Sequence, residues 1–60
     1  MKEPPHVHVD RDDNSAKFWL TTVSLSRNIG FGSKELRDLE RIVTEHQQEF
    51  LNAWHKYFGR

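Results

Sequence analysis

The first half of the chain alternates polar and apolar residues with a period of two, the pattern of a strand with one buried face. From His6 to Asp10 the histidines fall on one face, and Val7 and Val9 fall on the other. A second alternating stretch covers about 16–25 and carries β-favouring aromatic and threonine residues. The stretch between them, 10–15, is rich in Asp, Asn and Ser, which favour turns. We therefore predict a hairpin with strands at about 6–10 and 16–25.

The second predicted strand has one apolar face, made of Ala16, Phe18 and Leu20. Its other face carries Lys17, Trp19 and Thr21. Because Val23 and Leu25 also keep a spacing of two, the pattern fits either a longer second strand or a short third one. Gly30 and Gly32 then favour a sharp bend, and Phe31 between them is expected to tuck under the sheet.

The second half repeats its apolar residues with a helical period and contains no glycine or proline between residues 34 and 58. The apolar stripe consists of Leu36, Leu39, Ile42, Val43, Phe50, Ala53, Trp54, Tyr57 and Phe58. Ser33 is predicted as the N-cap, and Gly59 as the residue that ends the helix. The predicted fold is therefore α+β: a β-hairpin or short antiparallel meander packed against one long C-terminal α-helix, about 33–58, within a single small domain, 1–60.

The length of this predicted helix argues for a partner. A straight helix of about 25 residues spans roughly 37 Å, about twice the length of a five-residue strand. The hairpin could not cover its whole apolar stripe, so we predict that the aromatic C-terminal part forms an interface. The predicted interface residues are Val7, Val9, Trp19, Phe50, Trp54, Tyr57 and Phe58.

Composition narrows the classes of function. The chain has 60 residues, no cysteine and a formal net charge of zero. Disulfides and thiolate metal sites are thereby excluded, and the broad positive field of nucleic-acid-binding proteins is missing. No apolar run approaches the length of a membrane span, so we predict a cytoplasmic protein. A chain this small without covalent staples often gains stability from a partner, which favours a homo-oligomer or a second small protein.

His6 and His8 form the one local group of side chains whose spacing is typical of a metal-binding or catalytic site. Neutral imidazoles two apart on a strand can share a metal, in this case zinc or another divalent cation, with a third ligand from His46, His55 or a carboxylate of 10–13. The simpler interpretation is a hydrogen-bonded strand face on which the histidines pack against Trp19. We therefore assign no cofactor on the sequence alone.

The same histidines could serve as a general acid and base in a small ribonuclease, with Arg11, Lys17 or Arg27 holding a phosphate. The balanced charge argues against this hypothesis. We assign no catalytic residue, and a non-enzymatic role is preferred. The acidic turn also lacks the glycine and the bidentate glutamate of a calcium loop, which favours a solvated turn.

Four stretches together resemble the small prokaryotic family named domain of unknown function 4160. They are EPPHVHV at 3–9, AKFWL at 16–20, IGFGSKELRDLERIV at 29–43 and AWHKYF at 53–58. The resemblance implies a small single-domain protein, often encoded beside another small protein and frequently flagged as a candidate toxin–antitoxin component; no activity is established for the family. Family members carry an apolar, aromatic segment before the Pro-Pro-His motif, where this chain has Met1 and Lys2. The resemblance therefore implies either a truncated form or a sheet completed by a second copy or a partner.

These observations predict a protein-interaction component that acts as a dimer or in a heterocomplex. Binding is expected at the open strand edge near 6–9 and at the aromatic end of the helix. The alternative is a small metal-binding or RNA-acting protein centred on His6 and His8.

Overall fold

The computed structural model describes residues 3–58, which form three strands and two helices. The elements are β1 (His6–Arg11), β2 (Asn14–Trp19), β3 (Ser24–Ile29), α1 (Ser33–Glu45) and α2 (Gln47–Phe58). The strands form one antiparallel sheet in the order β1-β2-β3. The α+β class and the meander are therefore confirmed, whereas the single long helix is not. The prediction that Gly59 ends the helix lies outside the described residues, as does the N-terminal pair Met1 and Lys2.

A two-residue turn joins β1 to β2 and sets their register. Asp12 adopts a positive φ of 55°, a conformation that a short polar side chain tolerates better than most residues do. Arg11 then pairs with Asn14, and the ladder continues to His6 opposite Trp19. In this register Val7 faces Phe18 across the strands, so the predicted apolar face of β1 and that of β2 lie on the same side of the sheet.

The stretch predicted as one strand over 16–25 is divided by a turn, which corrects that boundary. β2 ends at Trp19, residues 20–23 form the turn, and β3 begins at Ser24. Leu20 leaves the strand and enters the core, with its N–H still donating to Pro5 O at 2.9 Å. Val23 in the turn has a φ of 49°, a strained conformation for a β-branched residue. The apolar residues of the pattern lie at even positions up to Leu20 and at odd positions from Val23, so the alternation changes phase across Thr21 and Thr22, where the turn lies.

The core lies between the sheet and the helices and is small. Its five buried residues are Ala16, Phe18, Leu20, Phe31 and Val43. Phe31 packs there as predicted, with only 6% of its surface exposed. Every residue of β3 is exposed, whereas half-buried residues of β1, α1 and α2 pack around the core. The helices therefore cover β1 and β2 and leave β3 bare.

The first helix begins one residue away from the predicted cap. Gly32 is the N-cap and Ser33 is the first helical residue. The carbonyl oxygen of Gly32 accepts the Leu36 N–H at 2.9 Å, and Glu35 Oε1 accepts the Gly32 N–H at 3.1 Å. Glu35 therefore supplies the reciprocal hydrogen bond of a helix start, and its charge complements the helix dipole.

The predicted long helix is broken at His46, which corrects the prediction of one helix over 33–58. His46 has φ −111° and ψ 16°; its N–H donates to Ile42 O, and its carbonyl oxygen accepts the Phe50 N–H. Just before the break, Thr44 Oγ1 donates to Glu40 O at 2.8 Å, a back-bond that often bends helices. Just after it, Gln47 Nε2 donates to Leu20 O at 2.6 Å and to Thr21 O at 3.2 Å. The break thus fits the start of α2 to the turn after β2.

The broken helix changes the argument about length. The helices contain 13 and 12 residues, so each spans about 20 Å or less. The whole fold measures 34 × 25 × 18 Å, and the roughly 37 Å of a straight helix would exceed its longest dimension. The premise that a straight helix outruns the sheet is therefore wrong. Any surface available to a partner is therefore the apolar surface that the fold leaves exposed, such as Tyr57 and Phe58.

Gly30 provides a test of the turn between β3 and α1. Its φ is 92°, and an added Cβ would collide with the Asn14 side chain. We expect Gly30→Ala to lower the free energy of unfolding by about 2 kcal/mol, measured by urea denaturation. At Gly32 the nearest atom to an added Cβ is Glu35 Oε1 at 3.8 Å, so Gly32→Ala should cost less than about 1 kcal/mol. Equal losses in the two variants would contradict this account of the turn.

Gln47 provides a test of the helix break. Gln47→Ala removes the hydrogen bonds to the carbonyl oxygens of Leu20 and Thr21, and we expect it to lower the free energy of unfolding by about 1 kcal/mol. The matched control is Gln48→Ala, because the Gln48 amide bonds only the exposed Asn52 side chain on the same helix. If Gln48→Ala lowered the free energy of unfolding as much as Gln47→Ala does, the hydrogen bonds from Gln47 to Leu20 and Thr21 would add no stability of their own.

Candidate functional site

The predicted histidine pair lies on the sheet face that points away from the core. His6 stands opposite Trp19, and His8 stands opposite Lys17. The ring centroids of His6 and His8 are 5.2 Å apart, and those of His6 and Trp19 are 6.0 Å apart, both pairs perpendicular. The cross-strand neighbours of the histidines are therefore an indole ring and an ammonium group.

His6 is held on several sides. Its Nδ1 lies 2.9 Å from Pro4 O, which can only accept, so Nδ1 carries the proton in this bond. The Trp54 ring of α2 lies 4.7 Å from the imidazole, centroid to centroid. Only 17% of the His6 side chain is exposed. His6 thus packs between the sheet and the end of α2. Its contact with Trp19 is the one that the simpler interpretation of the histidine pair predicts.

Lys17 links β2 to the segment before β1. Its Nζ lies 2.5 Å from Glu3 Oε1 and 4.6 Å from the centroid of the Trp19 ring. The hydrogen bond from Lys17 and the positive charge of Lys17 lower the pKa of Glu3 below its ordinary value; the nearby imidazoles of His6 and His8 act in the same direction more weakly. The ammonium group that could have held a phosphate beside the histidines is therefore already paired with a carboxylate.

The structure does not bring the proposed third metal ligands to the histidine pair. Within residues 3–58 no three His, Asp or Glu side chains lie close enough to share a metal ion. His46 lies at the helix break with its Nδ1 bonded to Glu49, and His55 is exposed on α2. The carboxylates of 10–13 lie at or beside the turn of the hairpin, whereas His6 lies at its open end.

The basic residues proposed to hold a phosphate are also divided. Arg27 lies opposite Lys17 in the sheet register, so these two are neighbours on one face. The Nη2 atom of Arg11 instead lies 3.6 Å from Glu35 Oε2 on α1. Two of the three predicted cations thus share the face of His8, and the third is turned toward the helix.

Most of the predicted interface residues meet in one apolar groove between β1 and α2, with a volume of about 210 Å³. Its lining is His6, Val7, Leu20, Phe50, Ala53, Trp54, Tyr57 and Phe58. The rings of Trp54 and Phe58 stack at 4.2 Å, while Tyr57 is 87% exposed and Phe58 56% exposed. Trp19 is not part of the lining of this groove, although His6, its cross-strand neighbour, is.

Val9 lines a second groove, of about 290 Å³, between β1 and α1. This groove also contains Ile42, which is 44% exposed. Ile42 belongs to the predicted apolar stripe but not to the predicted interface residues. Its place on that stripe is the signal that the sequence offers for it.

Among residues 3–58, no strand pairs with the outer edge of β1, which lies between these two grooves. The bond from the Leu20 N–H to Pro5 O marks Pro5 and Leu20 as a hydrogen-bonded pair of the ladder. Because such pairs alternate, Val7 and Val9 direct their backbone groups toward β2, and the even-numbered residues direct theirs outward. The N–H and C=O groups of His6, His8 and Asp10 thus form the free edge, with the two grooves beneath it.

The family described as Domain of unknown function (DUF4160) matches residues 1–55 of the chain. The chain belongs to this family. Comparison with curated proteins and with solved structures gave no match. The DUF4160 match takes in the whole sheet, the helix break and Trp54, and it stops before Tyr57 and Phe58. None of the described helices is both long and apolar enough to cross a lipid bilayer.

The ion pair of Lys17 and Glu3 gives this DUF4160 chain a testable dependence on pH. Since the pKa of Glu3 is lowered by folding, its stabilising contribution is complete above the ordinary glutamate value of about 4.3 and is lost as the pH falls through the lowered value. We expect Lys17→Met to raise the Glu3 pKa toward its ordinary value, measured by NMR titration of the carboxyl carbon. Arg27→Met removes the cation opposite Lys17 and should leave the Glu3 titration nearly unchanged. Identical Glu3 titrations in Lys17→Met and the unmodified chain would refute the assignment.

Proposed function

We propose that this DUF4160 chain is a non-enzymatic, cytoplasmic protein-interaction component that works as a dimer or as one half of a two-protein module of the toxin–antitoxin kind. The observation that carries the proposal is the exposed aromatic end of α2 beside the free edge of β1. The partner would bind across the edge and into the apolar groove. No reaction chemistry is required of the site.

The aromatic end of α2 has the composition of an interface anchor. Tyr57 exposes 87% of its surface and Phe58 56%, although both adjoin an apolar groove. Covering apolar surface contributes about 25 cal/mol for each Å² removed from water. Tyrosine and tryptophan are enriched among the residues that dominate binding energy at interfaces. Trp54 lines the same groove as Tyr57 and Phe58.

Hydrogen bonds along the edge of β1 would fix the orientation of a bound partner strand. Unpaired N–H and C=O groups of an edge strand form hydrogen bonds with an added strand, and side chains entering adjacent pockets give selectivity. Here the groups of His6, His8 and Asp10 point outward from β1, and Val7 and Val9 point into the grooves beneath. A partner strand would therefore place alternate side chains over apolar surface.

The alternative, a small metal-binding or RNA-acting protein, rests on His6 and His8 alone. The geometry adds no support for it, because His6 is packed by Trp54 and bonded to Pro4, and Lys17 is paired with Glu3. The formal net charge of zero likewise supplies no general attraction for RNA.

The proposal predicts that Tyr57→Ala weakens capture of a protein partner at least about tenfold while leaving the fold intact, because Tyr57 is almost fully exposed. The measurement is a tagged pull-down from native lysate, with bound proteins, RNA and metals identified and circular dichroism recorded for each variant. His55→Ala is the matched control, an exposed aromatic residue on the same helix that does not line the groove.

Two outcomes would overturn the proposal. One is a defined RNA or a stoichiometric metal on the purified chain with no protein bound. The other is capture of the partner at full strength by Tyr57→Ala together with its loss in His55→Ala, which would place binding elsewhere on α2.

A further inference from the structure

We infer that the partner of the β1 edge is a second copy of this chain, and that two β1 strands pair antiparallel about a twofold axis through His8. This inference rests on the proposed function, because it names the partner of the same surface. It would join two three-stranded sheets into one continuous sheet.

The direction of the backbone groups of β1 limits how two copies of this strand can pair. On the free edge of β1 the outward-pointing residues are His6, His8 and Asp10. In an antiparallel pair, two opposed residues exchange both of their hydrogen bonds only when both point toward the partner. A self-pairing of β1 must therefore oppose even-numbered residues to even-numbered residues.

One register pairs the whole set. With His8 opposite His8 of the second copy, His6 stands opposite Asp10 and Asp10 opposite His6, so every outward residue of β1 has an outward partner. A shift by two residues in either direction leaves either His6 or Asp10 without a partner inside the strand. Each opposed pair exchanges two backbone hydrogen bonds, which makes the His8-centred register the most favourable.

The side chains in this register are complementary. Asp10 is exposed, and among the described residues it has no salt-bridge partner. The twofold axis places its carboxylate on the same face as the imidazole of His6 of the second copy, and it does so twice. Because Nδ1 of His6 donates to Pro4 O, the carboxylate accepts its hydrogen bond from Nε2–H of the protonated ring. Val7 meets Val9 of the second copy on the opposite face, so the apolar face of the sheet continues across the junction. The formal net charge of zero adds no repulsion between the copies.

The apolar grooves also fit a second copy. The groove with Tyr57 adjoins the His6 end of β1, and the groove with Ile42 adjoins its Asp10 end. Because the paired strands run antiparallel, the Tyr57 groove of one copy comes to lie beside the Ile42 groove of the other. The twofold arrangement thus opposes exposed apolar surfaces that the single chain leaves in water.

His8→Cys tests the register directly, because the chain contains no cysteine. Opposed residues of a hydrogen-bonded pair have Cα atoms about 5.5 Å apart, within the range that a disulfide spans. Under a mild thiol oxidant we expect His8→Cys to form a covalent dimer at least about tenfold faster than Ser26→Cys, an exposed control on β3. In sedimentation velocity the unmodified chain should be a dimer. Asp10→Lys, which opposes a cation to His6, should weaken that dimer at least about tenfold, whereas Asp12→Lys in the turn should not.

The outcomes separate the inference from the proposed function. A monomeric chain whose His8→Cys and Ser26→Cys variants cross-link equally slowly would overturn the inference; the proposed function would still stand if Tyr57→Ala abolished capture of a different protein. A dimer that does not cross-link through His8→Cys would overturn the register. Rapid cross-linking through His8→Cys, with weakening by Asp10→Lys alone, would support the inference.

Discussion

Burial of one face of β2 is the interaction on which the rest of the fold depends. Three of the five core residues, Ala16, Phe18 and Leu20, come from this strand and the residue that follows it. Phe31 and Val43 complete the core from the bend after β3 and from α1. Residues 3–58 contain one buried cluster, so the other elements are placed by how they contact this one face.

The small core explains why the two outer strands differ. β3 pairs with β2 but receives no cover from the helices, and each of its residues is exposed. The apolar face of β1 packs against the core through Val7 and Val9. The outer edge of β1 pairs with no other described strand and lies between two grooves. The helix break at His46 creates this asymmetry, because α2 is anchored through Gln47 to the turn after β2, and its aromatic end reaches the start of β1.

The histidine pair shows how a chemical motif can serve packing. His6 and His8 alternate on a strand as a metal site would require, and their rings lie 5.2 Å apart. A ligand set also needs a third donor, and the fold sends the remaining histidines to the helix break and to the surface of α2. Trp54 instead fills the space beside His6. The surroundings of His6 therefore depend on a residue almost fifty positions away.

The pattern of residue types alone determined the strand faces of β1 and β2, the placement of Phe31 in the core and the helical nature of the second half, because each follows from a local period or a local bend. Tertiary structure decided the rest. The turn at 20–23 coincides with a change of phase between Leu20 and Val23, but such a change fits a bulge within one strand as well as a turn between two. The helix break lies beside Gln47, whose side-chain amide donates to the Leu20 carbonyl oxygen 27 positions away. The grooves and the open edge likewise exist only once strands and helices are packed, because they are defined by what the neighbouring elements leave uncovered.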